Sequence, residues 1–387
     1  MIQRTLATQI EVMLRLYPIV AVTGPRQSGK TTLLVNMFPD YQYVSLENPD
    51  TLSFAVNDPN GFLDLYSQKA IFDEVQRAPQ LFSYLQARVD KSGAMGQFIL
   101  SGSQNYSLMS SITQSLAGRV AMFRLLPCDF LELRNAGKLQ EDYAQILIKG
   151  NYPALYQRPI PPSDFYANYT ETYVERDVSD LLKIKDIALF KTFLRLCAAR
   201  SGQLLNLADL ARDAAISVPT VRAWLSILES SYLVYQLPPY FRNFSKRLVK
   251  SPKLYFYDTG LLCFLLGIKS VEQLAFVENK GAIFENFIIN EYVRQNFHQN
   301  LHREFYYWRS SNGLEVDLLI GGDSPAFDLM EIKATKTIAP KMFNSLDQVG
   351  ELAGNRLGKK ILVYGGNQSQ KRSDYQVWAW ADVKLVF

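Results

Sequence analysis

Eight residues near the start of the chain have the types and spacing to cradle a run of phosphates. They read Gly24-Pro25-Arg26-Gln27-Ser28-Gly29-Lys30-Thr31, the pattern Gly-x4-Gly-Lys-Thr. The glycines let backbone N–H groups curl around phosphate oxygens, and a following helix points its positive end at the same anion. Lys30 would reach the β- and γ-phosphates, and the Thr31 hydroxyl would ligate Mg²⁺. The candidate ATP-binding set is therefore Gly24, Arg26, Gln27, Ser28, Gly29, Lys30, Thr31 and Thr32. The plainer alternative is a Gly-rich turn before a helix.

About forty residues on, Ala70-Ile71-Phe72-Asp73-Glu74 is an apolar run ending in two acids. Asp73 would hold the Mg²⁺ shell with Thr31, and Glu74 would polarise the attacking water as general base. Phe98-Ile99-Leu100-Ser101-Gly102-Ser103 ends another apolar run, and Ser103 or Gln104 could sense the γ-phosphate. Arg119 could stabilise transition-state charge, if need be in a neighbouring subunit. For each of these a bland reading stays open: an acidic strand end, a polar turn, a surface arginine.

A second constellation lies in the last third. Glu315-Val316-Asp317 is followed by Glu331-Ile332-Lys333. Residues two apart on a strand share a face, so Glu331 and Lys333 point together. Asp317 and Glu331 could hold Mg²⁺ while Lys333 activates water or offsets phosphate charge. This acid and Glu-x-Lys pairing resembles the PD-(D/E)xK nuclease core, with Val316 in place of the proline, and Glu285 matches that fold's helical glutamate. Active nuclease, binding-only relative and coincidence all remain open.

The elements that must position these residues follow from periodicity. Residues 2–16 carry apolar residues at helical spacing. Strands are expected at 19–22, 43–46, 69–72, 97–100 and 120–125, with helices at 31–37 and 81–89. Strands alternating with helices imply a mostly parallel α/β sheet over roughly 15–130. Residues 163–230 read as mostly helical. Within them 207–211, a turn at 216–219 and 220–228 form a helix-turn-helix, and strands at 232–237 and 254–257 are compatible with a wing. The segment between those strands holds Arg242, Lys246, Arg247, Lys250 and Lys253 and reads as a basic linker. From about 281 a helix and strands at 305–308, 315–320, 328–332 and 361–364 make a second α/β unit. The domain expectation is 1–160, 161–260 and 261–387.

At these residues the chain resembles a family of prokaryotic AAA-type ATPases that carry a C-terminal domain of unknown function. The resemblance covers Gly24 to Thr32, Phe72 to Val75, Leu100 to Ser103, Leu116 to Arg119, Gly150-Asn151-Tyr152-Pro153, and Tyr173-Val174-Glu175-Arg176-Asp177. It also takes in Lys250-Ser251-Pro252-Lys253-Leu254-Tyr255-Phe256-Tyr257-Asp258-Thr259-Gly260-Leu261. It implies an AAA-type module, then a winged helix, then a nuclease-like α/β fold. The position of Arg119 resembles the family's arginine finger, which implies a homo-oligomer.

Composition bounds the rest. Hydrophobic residues make up 48% and charged residues 20%, which fits a folded chain rather than disorder. A net charge of +4 permits nucleic-acid contact without arguing for it, so DNA partnership rests on the helix-turn-helix or the C-terminal unit. Three scattered cysteines suit a reducing cytoplasm and give no disulfide or zinc pattern. No signal peptide and no membrane span is expected. The only histidines, His298 and His302, have no acid or cysteine arranged around them in sequence, so a zinc site is not expected.

Overall fold

The computed structural model describes residues 2–103, 115–173, 186–240, 249–321 and 326–385. They fall into two compact units. The first comprises Met1–Ala136, Ser230–Tyr232 and Phe297–Asn300, and the second comprises the remainder.

In the first unit five strands form one sheet: β1 Ile19–Thr23, β2 Gln42–Ser45, β3 Ala70–Asp73, β4 Phe98–Gly102 and β5 Val120–Arg124. Their order is β2-β3-β4-β1-β5 and every pairing is parallel. The continuous apolar runs seen in sequence reflect burial of both faces. Alternation assigns each residue to a face. Ile19 and Ala21 pack with Phe72, Phe98 and Leu100 against the helices Pro59–Leu65 and Leu81–Ser92. Val20 and Val22 pack with Ile71 and Ile99 against the helices Leu6–Leu14 and Lys30–Met37. The helices Pro49–Asn57 and Pro59–Leu65 have no counterpart in the sequence expectation. Each starts with a side-chain cap followed by proline, Asn48 for the first and Asp58 for the second.

The second unit begins with short helices, then helices Ile187–Ala199, Leu207–Asp213 and Val218–Ser230, whose last residue belongs to the first unit. An antiparallel pair follows, β6 Val234–Leu237 with β7 Lys253–Phe256. Leu204 bridges Lys253 on the other side of β7. The C-terminal sheet has six strands: β8 Glu304–Arg309, β9 Glu315–Gly321, β10 Phe327–Lys333, β11 Leu357–Tyr364, β12 Gln370–Lys371 and β13 Gln376–Ala379. Its order is β12-β13-β11-β10-β9-β8, and it is mixed: β8-β9-β10 run antiparallel, while β10-β11-β13 run parallel. The helix Asn344–Ala353 covers one face through Leu346, Val349 and Ala353.

Two of the family-like stretches meet inside this unit. Asp258 is buried, caps the helix Thr259–Leu265, and accepts from the Asn151 N–H at 2.8 Å and from the Tyr166 hydroxyl at 2.6 Å. Gly150 has φ +69°, and a Cβ there would lie 1.9 Å from the Tyr166 hydroxyl. Only glycine suits that backbone and that space. Val174 to Asp177 lie outside the described residues.

Candidate functional site

The order of the first sheet makes its carboxyl edge a meeting place. β4 lies between β1 and β3, so the loop after Thr23, the Asp73-Glu74 pair and Ser103 emerge side by side. The loop from Gly24 to Gly29 wraps into the helix Lys30–Met37, with left-handed backbone at Gln27 (φ +62°) and Gly29 (φ +94°). Gly24 has φ +149°, and a Cβ on it would lie 2.1 Å from the Leu125 carbonyl oxygen. No side chain fits there, which lets the loop lie tight against the end of β5.

Lys30 is buried, and its ammonium donates to the carbonyls of Gly24 and Pro25, 2.9 Å each. Burial pulls its pKa below the ordinary lysine range, opposed by Glu74 and Asp73. The Ser28 hydroxyl is buried with no hydrogen-bond partner. An unmatched buried hydroxyl and a lysine resting on loop carbonyls fit a site whose natural occupant is an anion. Thr31 donates to Asp73 Oδ2 at 2.8 Å, linking the two residues expected to share a magnesium shell. Tyr43 donates to the same oxygen at 2.9 Å, Ser101 donates to Oδ1, and the Glu74 N–H donates to Oδ1 at 3.1 Å. Burial first, and then the Asp73 charge, raise the Tyr43 pKa to about 12, so its hydroxyl stays a donor. Tyr43 was not singled out in the sequence, where it reads only as a strand residue.

Glu74 has a left-handed backbone, φ +54°, rare for a residue with a side chain. Its Oε2 accepts from Ser103 at 3.0 Å and from the Gln76 amide. Ser103 therefore reaches the proposed base rather than standing apart in a turn, while Gln104 lies outside the described residues. Thr32 sits in the first turn of the helix after the loop. Arg26 is partly exposed and reaches Glu47 at 3.4 Å. Arg119 is not brought to this edge. Its carbonyl accepts from the Ile19 N–H at the opposite end of β1, on the order of 16 Å away at the usual rise per strand residue. Its guanidinium pairs with both carboxylate oxygens of Asp90. In this structure Arg119 thus stands at the far end of the sheet from the phosphate loop.

Behind the loop lies a buried polar network that the sequence did not announce. Arg4 precedes the first helix and donates to the Ser28 carbonyl at 2.7 Å, the Leu126 carbonyl at 2.6 Å and Glu132 Oε2 at 2.9 Å. Burial works against its charge, but Glu132 holds its pKa above the ordinary value. Glu132 and Asp129 form a reciprocal cap at the start of the helix Phe130–Asn135. His298 completes the group. The expectation that no acid surrounds it fails, because Asp129 Oδ2 lies 2.8 Å and Glu132 Oε1 3.5 Å from its Nδ1. These three residues are close enough to hold a metal. Their lone pairs are already engaged, however. The Leu126 N–H donates to His298 Nε2 at 3.2 Å, which puts the ring proton on Nδ1, facing Asp129. The group reads as a structural clamp.

The second unit assembles the other predicted residues. Lys333 contacts Glu331 Oε1 at 2.5 Å and Asp317 Oδ2 at 3.6 Å. Asp317 accepts from the Ile332 N–H at 2.7 Å, and Glu331 from Ser345 at 2.8 Å. Glu285, on the helix Lys280–His298, is bound by Lys253 at 2.9 Å and by the Tyr255 hydroxyl. Burial first and then Asp317 raise the Glu331 pKa to about 7. Burial also raises Glu285 to about 7, with Lys253 opposing and Asp317 adding to the rise. Burial works against the charge of Lys333, but Asp317 and Glu331 keep its pKa above the ordinary range. Lys253 is the correction here. Expected in a basic linker, it is buried in β7, where it also binds Glu315 at 2.5 Å. It offers no charge to an external partner.

Comparison with known proteins follows this division. The AAA domain family matches residues 16–134. Two domains of unknown function, DUF8612 and DUF4143, match 140–272 and 280–383. An uncharacterized protein of Mycobacterium tuberculosis is 33% identical over 391 residues, covering 99% of this chain and 85% of that protein. The chain belongs to the same family as that protein, and the AAA match lies within its first unit. An uncharacterized protein of Methanocaldococcus jannaschii is 23% identical, covering 94% of this chain and 86% of that one. Among solved structures, a Walker-type ATPase of Pyrococcus abyssi aligns with TM-score 0.44 and 14% identity, over 67% of this chain and 94% of that one. The Thermotoga maritima RuvB branch-migration motor aligns with TM-score 0.30 and 15% identity, over 60% and 89%.

Proposed function

We propose that this AAA-domain protein binds ATP with Mg²⁺ at the carboxyl edge of the first sheet and hydrolyses it as a nucleotide-driven switch or motor. The observation that carries the reading is the meeting of the Gly24–Thr31 loop, Asp73, Glu74 and Ser103 at one edge, with Ser103 and Gln76 already holding Glu74. Loop amides, Ser28, Lys30 and Thr32 would hold the phosphates, and Thr31 and Asp73 the metal shell. A bound magnesium supplies charge neutralisation to the phosphates. The chain's own contribution is to place Glu74 as proton acceptor beside it.

Lys30→Ala tests this directly. Removing one charge from the phosphate site is expected to lower ATP turnover by about 10²-fold or more, measured by phosphate release. Equal turnover in the two chains would defeat the assignment. A trans role for Arg119 in a homo-oligomer is part of the proposal, and its place at the far end of β1 from its own loop is what favours it. So are the three modules at 1–160, 161–260 and 261–387, with helices 187–199, 207–213 and 218–230 plus β6 and β7 as a winged helix able to contact DNA. No helix among the described residues is long and apolar enough to cross a membrane, and a cytoplasmic setting is proposed.

A second reading has its own observation. Asp317, Glu331, Lys333 and Glu285 converge in one cluster, with Asp317 and Glu331 buried and Glu285 and Lys333 partly exposed. The all-oxygen donor set suits Mg²⁺, and the reading is supported by the pair already facing a positive charge, the Lys333 ammonium. Asp317 and Glu331 would hold the ion, which supplies Lewis acidity toward a phosphodiester, and Lys333 would orient or activate water. Lys333→Ala is expected to cut Mg²⁺-dependent cleavage of DNA or RNA by about 10²-fold. Absence of cleavage across substrates and metals would make this unit a binding module.

A further inference from the structure

The carboxylate cluster is not built from the C-terminal region alone. Lys253, which lies in the stretch matched by the preceding family (140–272), enters it from β7. Its ammonium is 2.9 Å from Glu285 Oε1 and 2.5 Å from Glu315 Oε1, two carboxylates supplied by a helix and by β9. The Tyr307 ring lies 5.5 Å from it. Lys253 is 2% exposed. It is also fixed along its backbone, paired to Leu237 on one side and bridged to Leu204 on the other. Burial and the two ion pairs leave its ammonium little room to move.

Exposure decides what it does. The Lys333 side chain, between Asp317 and Glu331, is 36% exposed and can yield that pair to an ion, whereas the Lys253 side chain, between Glu285 and Glu315, is 3% exposed and has nowhere to go. One cation position is therefore open, at Asp317 and Glu331, and the other is filled by the chain itself. We propose that Lys253 sets the cation stoichiometry of this site, occupying between Glu285 and Glu315 the position a second ion would take. The proposal rests on the metal reading of the cluster given above. It makes the site a composite one in which the β6–β7 pair supplies a built-in monovalent cation.

The test is a count of bound Mn²⁺ by electron paramagnetic resonance of the free ion, on the full chain without nucleotide. The wild-type chain is expected to hold one ion that Glu331→Gln removes. Lys253→Met is expected to hold two, and adding Glu285→Gln to it should return the count to one. Lys253→Gln, whose neutral amide can still donate to a carboxylate, is also expected to hold two and serves where Lys253→Met folds poorly. Two ions removable from the wild type, or one ion still in a folded Lys253→Met chain, would overturn the role of Lys253 and leave the metal reading standing. No Glu331-dependent ion in either the wild type or Lys253→Met would overturn the metal reading itself.

Discussion

Glu74→Gln is expected to bind ATP as the parent chain does and to hydrolyse it about 10²–10⁴-fold more slowly, the range a general base contributes. The substitution keeps size and leaves an amide oxygen that can still accept from Ser103. It removes the capacity to take a proton, together with a negative charge that favours the Lys30 ammonium. Because Lys30 is held by the Gly24 and Pro25 carbonyls and Thr31 by Asp73, the phosphate site should keep its shape. Nucleotide binding followed by a fluorescent ATP analogue, together with single-turnover hydrolysis, separates the two steps. Unchanged hydrolysis with unchanged binding would remove Glu74 from the chemistry and leave the left-handed backbone at that position to be explained as packing.

How much of this was readable from the residues alone differs between the two sites. The phosphate loop is local: its glycines, lysine and threonine are contiguous, so pattern and geometry are nearly the same statement. Asp73 and Glu74 were readable because strand ends in a parallel sheet share an edge. The position of β4 between β1 and β3, which brings Ser103 to Glu74, is a property of strand order that periodicity does not encode. Tyr43 and Gln76 were missed for the same reason, since each matters only through a neighbour from another element. Lys253 was misread because its flanks are rich in cations, and a charge run ordinarily means a solvated loop. The signal that could have corrected it is the alternation in Lys253-Leu254-Tyr255-Phe256, which puts Lys253 and Tyr255 on one face of a strand, and both do reach Glu285.

Arg4 is the sharpest case of a residue whose importance only the fold shows, and its removal is expected to have a large effect. Arg4→Met keeps the length and apolar stem but leaves Glu132 buried without its cation. It also leaves the carbonyls of Ser28 and Leu126 without their donors. Breaking a buried ion pair from one side costs about 3–5 kcal/mol. For a unit of this size that corresponds to a fall of roughly 10 °C in the unfolding midpoint. Nucleotide should partly restore the midpoint, since binding energy adds to the folded state, but at weaker affinity, because the Ser28 carbonyl that Arg4 anchors belongs to the phosphate loop. Arg119→Ala provides the contrast: its pair with Asp90 is at the surface and should leave the midpoint almost unmoved. Thermal unfolding of the three chains with and without ATP checks the set. An Arg4→Met chain that melts with the parent and binds ATP equally well would show that the network behind the loop neither stabilises the first unit nor shapes its nucleotide site.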